Sequence, residues 1–483
     1  MDGKRMADRR TNASGATWRM ILALGVACVA TPATAQVRTL PDALALTYAT
    51  NPALLAARAQ LRAVDENVPQ ALSGWRPQVT ITANAGYIEG TSQQYIRPTT
   101  FSRGRTLESN ALRGSNTESL TVNQPLFRGG ATRANTNRAE NQVMAQRATL
   151  IGSEQTAFTN AVDAYVAVIQ TTQVLALRVN NQQVLTRQLQ ATQERFRVGE
   201  ITRTDVAQAE AALAGAVADR QTSEGELQVA RSRFLQVIGE PAPDRLVEPQ
   251  PLRLPVRSMD EVRALAASNN PAVIAAMFND SAARDNFDIQ YARLMPNLSL
   301  QGSISRNEDV QTKDLTTKVG QVLMVLSIPL YQGGGEYAAI RQARQAQQQS
   351  RQQVDDARRQ AIQQVTQAWT TYVSAKATIE STRQQIRSNE IALEGVQREA
   401  IVGSRTTLDV LNEEQRLLNS RVTLVRNLGS LINASYAVAA ASGRLTARDL
   451  NLNVPLYDET AYYKAVKNRL IGTGDYATDQ PGR

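Results

Sequence analysis

The sequence predicts an α+β protein in which one unit, built of two β-strands and long coiled-coil helices, occurs twice in tandem. The stretch RVGEITRTDV, residues 197–206, reappears as IVGSRTTLDV, residues 401–410. Five residues recur at one constant offset: Val198, Gly199, Thr202, Asp205 and Val206 correspond to Val402, Gly403, Thr406, Asp409 and Val410. In each copy a glycine, which tolerates left-handed backbone geometry, separates two helical runs. The sequence therefore predicts two equivalent turns, one at the tip of each helical hairpin.

The first 35 residues have the features of an export signal. A basic stretch precedes an apolar run from Met20 to Ala30, and Ala33-Thr34-Ala35 fits a small-residue cleavage site. We therefore expect the mature chain to begin after Ala35. A lone transmembrane anchor is the alternative, but the apolar run is short for crossing the hydrocarbon core.

Histidine and cysteine, which many catalytic and zinc sites use, are missing from the predicted mature chain. The single cysteine, Cys28, lies inside the predicted signal, and the sequence has no histidine. This composition excludes Ser-His and Cys-His nucleophile pairs and most zinc sites, and it leaves only carboxylate chemistry open. Lipidation of Cys28 is an alternative to cleavage, although Gly25 stands where lipoprotein signals place leucine or a similar residue. We predict no enzymatic activity and no cofactor or metal.

The charge pattern argues against a nucleic-acid partner. A net charge of +9 is mild for 483 residues. The basic residues are scattered among glutamines and glutamates on predicted helices and do not group with aromatic residues. Solvated helix faces explain this pattern better than a nucleic-acid surface does.

Four strands are predicted from alternation of apolar and small polar residues. In the first pair Val79, Ile81 and Ala83 alternate with Thr80 and Thr82. The predicted strands are at about 77–95, 117–127, 296–306 and 318–330. A polar segment at 89–116 is expected to form the first connecting loop, which is longer than its counterpart at 306–318. The alternation suits a barrel wall with lipid outside and water inside, but a soluble sheet lying on a core produces the same pattern.

Long helices follow each strand pair. Apolar or small residues recur at three-and-four spacing over many heptads, which indicates a coiled coil, and the abundance of Gln and Arg argues against membrane-spanning helices. The predicted helices are 130–196 and 205–238 in the first copy, and 336–402 and 409–442 in the second.

The predicted organisation of the chain has five parts: a signal (1–35), a first repeat (36–239), a proline-rich connector (240–257), a second repeat (258–443) and a C-terminal equatorial segment (444–483). The end of the last segment, beyond Lys467, is expected to fray.

In this order, and in duplicate, these features resemble the TolC family of outer-membrane efflux and type I secretion channels. The resemblance covers about residues 40–453 and includes the strand-to-helix corners QPLFRGG (124–130) and IPLYQGG (328–334). It implies a homotrimer in the outer membrane of a Gram-negative bacterium, with a 12-stranded β-barrel in lipid continuous with a 12-helix periplasmic α-barrel. It also implies a periplasmic adaptor and an inner-membrane ABC or RND transporter as partners, and a cargo of protein or drugs that the channel conducts passively.

Two other classes remain as alternatives. A periplasmic adaptor also has a long helical hairpin, but normally only one. A structural coiled-coil protein explains the heptads but not the strands. The absence of a good lipidation motif favours the protein-secretion branch of the resembled family.

The resemblance also implies roles for residues at the two tips. Asp409 matches the family's inward-facing aspartate ring, and Asp205 with Arg405 matches the pair that holds the aperture closed. Asn412 stands where a second aspartate ring is found in the family, and Ala400 stands where a tyrosine braces the link. The simpler alternative is that both aspartates only cap the following helices. The implied adaptor contacts are Val198, Gly199, Glu200, Val402, Gly403 and Ser404.

Overall fold

The computed structural model describes residues 37–481 except positions 255 and 257. The predicted export signal, including Cys28 and the cleavage site after Ala35, lies outside the described residues. Within them, no helix is both long enough and apolar enough to cross a membrane.

Each half of the chain has the same order of elements: helices, a pair of strands, a helix of 67 residues and a shorter returning helix. In the first half these are α1 (Leu40–Thr50), α2 (Pro52–Asp65), α3 (Asn67–Leu72), β1 (Gln78–Ile96), β2 (Arg105–Arg128), α4 (Ala131–Arg197) and α5 (Arg203–Ile238). In the second half they are α6 (Met259–Asn269), α7 (Pro271–Ala292), β3 (Asn297–Glu308), β4 (Thr316–Ser327), α8 (Gly335–Ile401) and α9 (Thr407–Ala441), and a short α10 (Ala461–Val466) follows.

The two Asn-Pro pairs begin α2 and α7 in the same way. The Asn51 side chain accepts from the backbone N–H of Ala53 at 3.0 Å, and the Asn270 side chain accepts from that of Ala272 at 2.9 Å. Each asparagine also donates its amide to the end of the returning helix of its own half, Asn51 to the Val237 carbonyl and Asn270 to the Ala441 carbonyl, both at 3.0 Å. Each asparagine cap therefore joins α2 or α7 to the returning helix of the same half of the chain.

The strands form one antiparallel sheet in the order β1-β2-β3-β4. The first hairpin is longer than the sequence predicts, because β1 pairs with β2 up to Ile96 opposite Arg105, whereas β3 and β4 end at Glu308 opposite Thr316. The predicted loop at 89–116 is therefore wrong for most of its length, and only residues 97–104 connect the strands. Alternation could not reveal this part because polar residues occupy both faces, while backbone pairing needs no apolar face.

The long helices lie side by side. α4 packs against α5 towards the tips and against α7 towards the strands, and α8 packs against α9 and α7 in the same manner. α9 also contacts α4, so the two hairpins form one layer. α8 lies at one side of this layer, and α2 and α5 lie at the other.

The largest core lies midway along α4. Phe158 and Tyr165 of α4 are fully buried there with Leu44 of α1, Phe234 of α5 and Leu445 of the C-terminal segment. The C-terminal segment is thus part of the core. Its end, which the sequence predicts to fray, also makes contacts: the Arg76 guanidinium donates to the Arg469 carbonyl at 2.9 Å, and the Asp458 N–H donates to Gln480 Oε1 at 3.0 Å.

Candidate functional site: sheet faces and helical tips

One face of the sheet is apolar and exposed in the single chain. Directly opposite residues of neighbouring antiparallel strands share a face, so Ile81, Leu120 and Ile304 lie together in one row. Ile81 is 77% exposed and Ile304 is 64% exposed. The next residues along the strands, Thr82, Ser119 and Ser305, form a row of small polar side chains on the other face. An apolar face that covers no core of its own chain requires an apolar environment outside it.

The exposed apolar side chains of this face form a band, called the apolar band, which crosses the sheet obliquely. In one row Ala83 of β1 faces Glu118, Arg306 and Lys318 of the other strands, so the band has ended there on β2 to β4. On β1 it continues to Tyr87. On β4 the apolar band lies nearer the helices, and it passes through Val322, Met324 and Leu326, which are all exposed. Strands tilted within a flat lipid layer produce this offset, because the layer crosses each successive strand at a different residue.

Large aromatic side chains mark the end of the sheet next to the helices. Trp75 precedes β1, Phe127 lies near the end of β2 and Tyr331 follows β4, and all three are exposed. Aromatic residues at this position are typical of the interface between lipid and water. Tyr87 occupies the corresponding place at the far end of the apolar band.

The two tips have the same backbone hydrogen bonds. Gly199 has φ +77° and Gly403 has φ +79°. The N–H of Glu200 donates to the Arg195 carbonyl and the N–H of Ser404 donates to the Glu399 carbonyl, each at 3.0 Å. These bonds form a Schellman motif, for which a glycine in the left-handed region is the favoured residue. Next to the glycines Val198 and Val402 are each 78% exposed, so both tips present an unburied valine.

Asp205 and Asp409 each complete a capping box at the start of the returning helix. Asp205 Oδ2 accepts from the N–H of Thr202 at 3.0 Å, and Asp409 Oδ2 accepts from the N–H of Thr406 at 3.0 Å. Hydrogen bonds from the Thr202 hydroxyl and N–H lower the pKa of Asp205, and those from the N–H and hydroxyl of Thr406 lower the pKa of Asp409. Both carboxylates are therefore held in the charged form with one oxygen engaged locally.

The implied pair of Asp205 with Arg405 does not form within one chain. Arg405 Nε donates to Glu399 Oε2 at 2.9 Å, and in the first tip Arg195 Nη2 donates to Glu200 Oε1 at 2.7 Å. Each tip therefore pairs its own arginine with its own glutamate, because the Schellman turn brings the end of the long helix next to the residues that follow it. A contact between Asp205 of one protomer and Arg405 of another protomer stays a prediction. Asn412 is exposed on α9, one turn beyond Asp409.

Sequence reasoning missed a charged cluster on the buried side of α2. Arg58 and Asp65 lie on one helix stripe with Leu54 and Leu61, and these four are the buried residues of α2. The Arg58 guanidinium lies 4.4 Å from the ring centroid of Tyr48 and donates to the Tyr48 carbonyl at 3.1 Å. The heptad spacing of two charged residues with two leucines was the available signal.

Asp65 is the least satisfied member of this cluster. It is fully buried, and neither carboxylate oxygen has a hydrogen-bond partner among the described residues. Burial raises the pKa of Asp65 to about 7, against the opposing charges of Arg147 and Arg62. Around it α10 is fastened by two bonds, from Tyr462 Oη to Glu66 and from Lys467 Nζ to Glu140, each 2.9 Å.

The whole repeated architecture matches one protein family. The family model described as outer membrane efflux protein matches residues 43–240 and 262–444, which is more than half of the chain. The chain belongs to the outer membrane efflux protein family.

Named relatives of this family cover nearly the same span. The outer membrane efflux protein BepC of Brucella suis biovar 1 (strain 1330) is 35% identical over 438 residues, 90% of this chain and 91% of BepC. The outer membrane protein TolC of Escherichia coli (strain K12) is 24% identical over 421 residues, 83% of this chain and 81% of TolC. The crystal structure of VceC from Vibrio cholerae superposes with a TM-score of 0.70 at 21% identity, covering 84% of this chain and 96% of VceC.

Family membership confirms the predicted fold class and the resemblance to TolC channels. The protein is an outer-membrane channel of efflux or secretion in a Gram-negative bacterium, with a periplasmic tunnel. The two alternatives, a periplasmic adaptor and a structural coiled coil, are therefore wrong. The family is one of transport proteins and not of enzymes.

Proposed function

We propose that three copies of this chain close into one channel that conducts cargo passively across the periplasm and the outer membrane. The open sheet carries this proposal: among the described residues, β1 and β4 each have a strand on one side only. Unpaired N–H and C=O groups at such edges are costly in hydrocarbon, so another copy must cover them. Four strands from each of three copies give an even-numbered, twelve-stranded barrel, within the range of bacterial barrels.

The helical layer supports the same arrangement. Its two sides carry apolar side chains that have no cover in the single chain: Val229 and Leu235 on α5, and Val373 and Ile391 on α8. Packing α8 of one copy against α5 of the next would bury them. The open sides of the sheet and of the helical layer would thus be closed by the same neighbours.

A passive pore supplies no energy, so the proposal includes an inner-membrane transporter, of ABC or RND type, and a periplasmic adaptor that joins it to the helical tips. The name of BepC, an outer membrane efflux protein, supports efflux as the role of this chain. The sequence-based preference for protein secretion stays a prediction. Deleting the gene decides between the two cargoes, since raised drug susceptibility with an unchanged set of secreted proteins would contradict protein secretion.

The assembly is tested by native mass measurement of the detergent-purified protein, followed by conductance in planar lipid bilayers. We expect three copies per particle and discrete conducting steps. A monodisperse monomer with the full β-sheet signal would contradict the proposal, as would a trimer that never conducts.

The gate prediction concerns Asp409. If three Asp409 carboxylates surround a narrow axis, the pore favours cations, and Asp409→Ala should reduce the cation-to-anion permeability ratio measured from reversal potentials. Thr406→Ala is the matched control, because it removes the capping hydroxyl and keeps the charge. Equal effects of the two substitutions would leave Asp409 with only its capping role.

Arg405→Ser should raise conductance if Arg405 holds the aperture closed, and an unchanged conductance would contradict that role.

The adaptor prediction concerns the tip glycines. Replacing both Gly199 and Gly403 by valine forces a β-branched residue into the left-handed region, although no atom lies within 4 Å of an added Cβ at either position. We expect export to be lost while the trimer still reaches the outer membrane. Gly395→Val is the control, since Gly395 lies within α8, has no positive φ and has equally open space. Export that survives the double substitution would place the adaptor contact elsewhere.

A further inference from the structure

A cavity of about 470 Å³ lies where the sheet meets the helices. Its lining includes Arg128 at the end of β2, Arg293 after α7, Thr132 and Asn135 of α4, and Asn297 at the start of β3. Both charged residues in the lining are arginines. Among the described residues, neither guanidinium has an ion pair or a hydrogen bond. The cavity therefore carries positive charge that the chain itself does not neutralise.

The N-terminus of α4 opens into the same cavity. Gly130 precedes this helix of 67 residues, and no side chain caps it. Its first N–H groups therefore remain available and carry the partial positive charge of the helix end. Thr132 in the first turn is 4% exposed, and its hydroxyl oxygen has no hydrogen-bond partner among the described residues. A buried hydroxyl without a partner indicates that a polar group belongs beside it.

The register of the sheet places the cavity on the polar face. After the irregularity at Pro125, Phe127 lies opposite Leu298 and Arg128 lies opposite Asn297. Leu298 belongs to the apolar face, so Arg128 and Asn297 share the other face with Ser299. In the proposed barrel this face lines the water-filled interior, and the cavity opens to the path of the cargo.

We propose that this cavity is an oxyanion site at the junction of barrel and tunnel, which binds the carboxylate or phosphate group of a passing cargo molecule. Two free guanidinium groups supply planar pairs of donors, which suit both kinds of oxyanion. The free helix N-terminus and the Thr132 hydroxyl supply further donors. The site rests on the proposed channel function, because only the closed barrel makes the polar face an interior.

Inorganic pyrophosphate is a suitable probe, added in a buffer without divalent cations to trimers in planar bilayers. It should reduce the single-channel conductance at millimolar concentration, whereas tetraethylammonium at the same concentration should not act at this site. Each of Arg128→Gln and Arg293→Gln should raise the half-blocking concentration by about tenfold, the effect of losing a charged hydrogen bond. Replacing both arginines by lysine keeps the charge and should preserve most of the block.

Arg133→Gln is the matched control, because Arg133 lies in the same first turn of α4 but does not line the cavity. It should shift the half-blocking concentration by less than about twofold, as expected of a solvated charge outside the contact shell. The proposal is overturned if pyrophosphate does not block the unaltered channel, or if the Arg128 and Arg293 variants are blocked like the Arg133 variant. Should the glutamine variants fail to assemble, Thr132→Val provides the same test. A protein that forms no pore at all contradicts the proposed function and not this site.

Discussion

Val322→Arg should prevent the protein from accumulating as a stable trimer in the outer membrane. Val322 lies on the apolar face of β4, opposite Gly302, and is 73% exposed in the single chain. If this face contacts lipid, an arginine near the middle of the band costs about 2 to 4 kcal/mol in each copy. Three copies multiply this cost in one barrel. Trimer yield and resistance to heat in detergent electrophoresis measure the effect.

Gln321→Arg is the control for this prediction. Gln321 is the preceding residue of the same strand, and its side chain points to the opposite, polar face beside Ser303. An arginine there enters the water-filled interior, so trimer yield should stay near that of the unaltered protein and only ion selectivity should change. If both variants assemble equally well, the apolar face does not contact lipid.

Asp65→Asn should stabilise the protein above pH 7 and make its stability less dependent on pH. The folded-state pKa of Asp65 is about 7, well above its ordinary value of 3.8. Between these values the folded protein keeps a proton that the unfolded chain has lost, so stability falls as pH rises through this window. Above pH 7 the buried carboxylate is charged and without hydrogen-bond partners, which costs about 1 to 3 kcal/mol. Asparagine removes that charge with little change of volume.

The measurement is the temperature of trimer dissociation at pH 5 and pH 8. The unaltered protein should dissociate at a lower temperature at pH 8 than at pH 5, and the Asp65→Asn variant should recover most of the difference. Asp356→Asn, at an exposed position on α8, should leave the difference unchanged. A variant with the same pH dependence as the unaltered protein would show that Asp65 does not control it.

The position of Asp65 suggests which part of the protein responds. α10 is attached around it through Tyr462 and Lys467, so charging of Asp65 weakens the region where the C-terminal segment meets α2 and α4. Hydrogen exchange of residues 461–466 at the two pH values would report this directly.

The sequence by itself determined the repeat, the strand faces and the tips, because each is encoded locally. Alternation at Val79 and Ile81 depends only on the period of a strand, and Gly199 and Gly403 are needed wherever a chain turns through the left-handed region. The capping residues Thr202 and Thr406 likewise act on N–H groups within three positions of themselves. Each of these features is complete within one short segment.

Only the tertiary structure decided the features that join distant segments. The part of the first hairpin farthest from the helices is set by pairing between strands that carry polar residues on both faces. Their few apolar residues do not alternate regularly, so neither strand has a periodic signal there. Arg128 and Arg293 line one cavity only because the end of β2 lies near the end of α7. Asp65 is buried only because α2 packs on α4. Burial and proximity, which decide the charge state and the ligand of such groups, arise from packing between residues far apart in the chain.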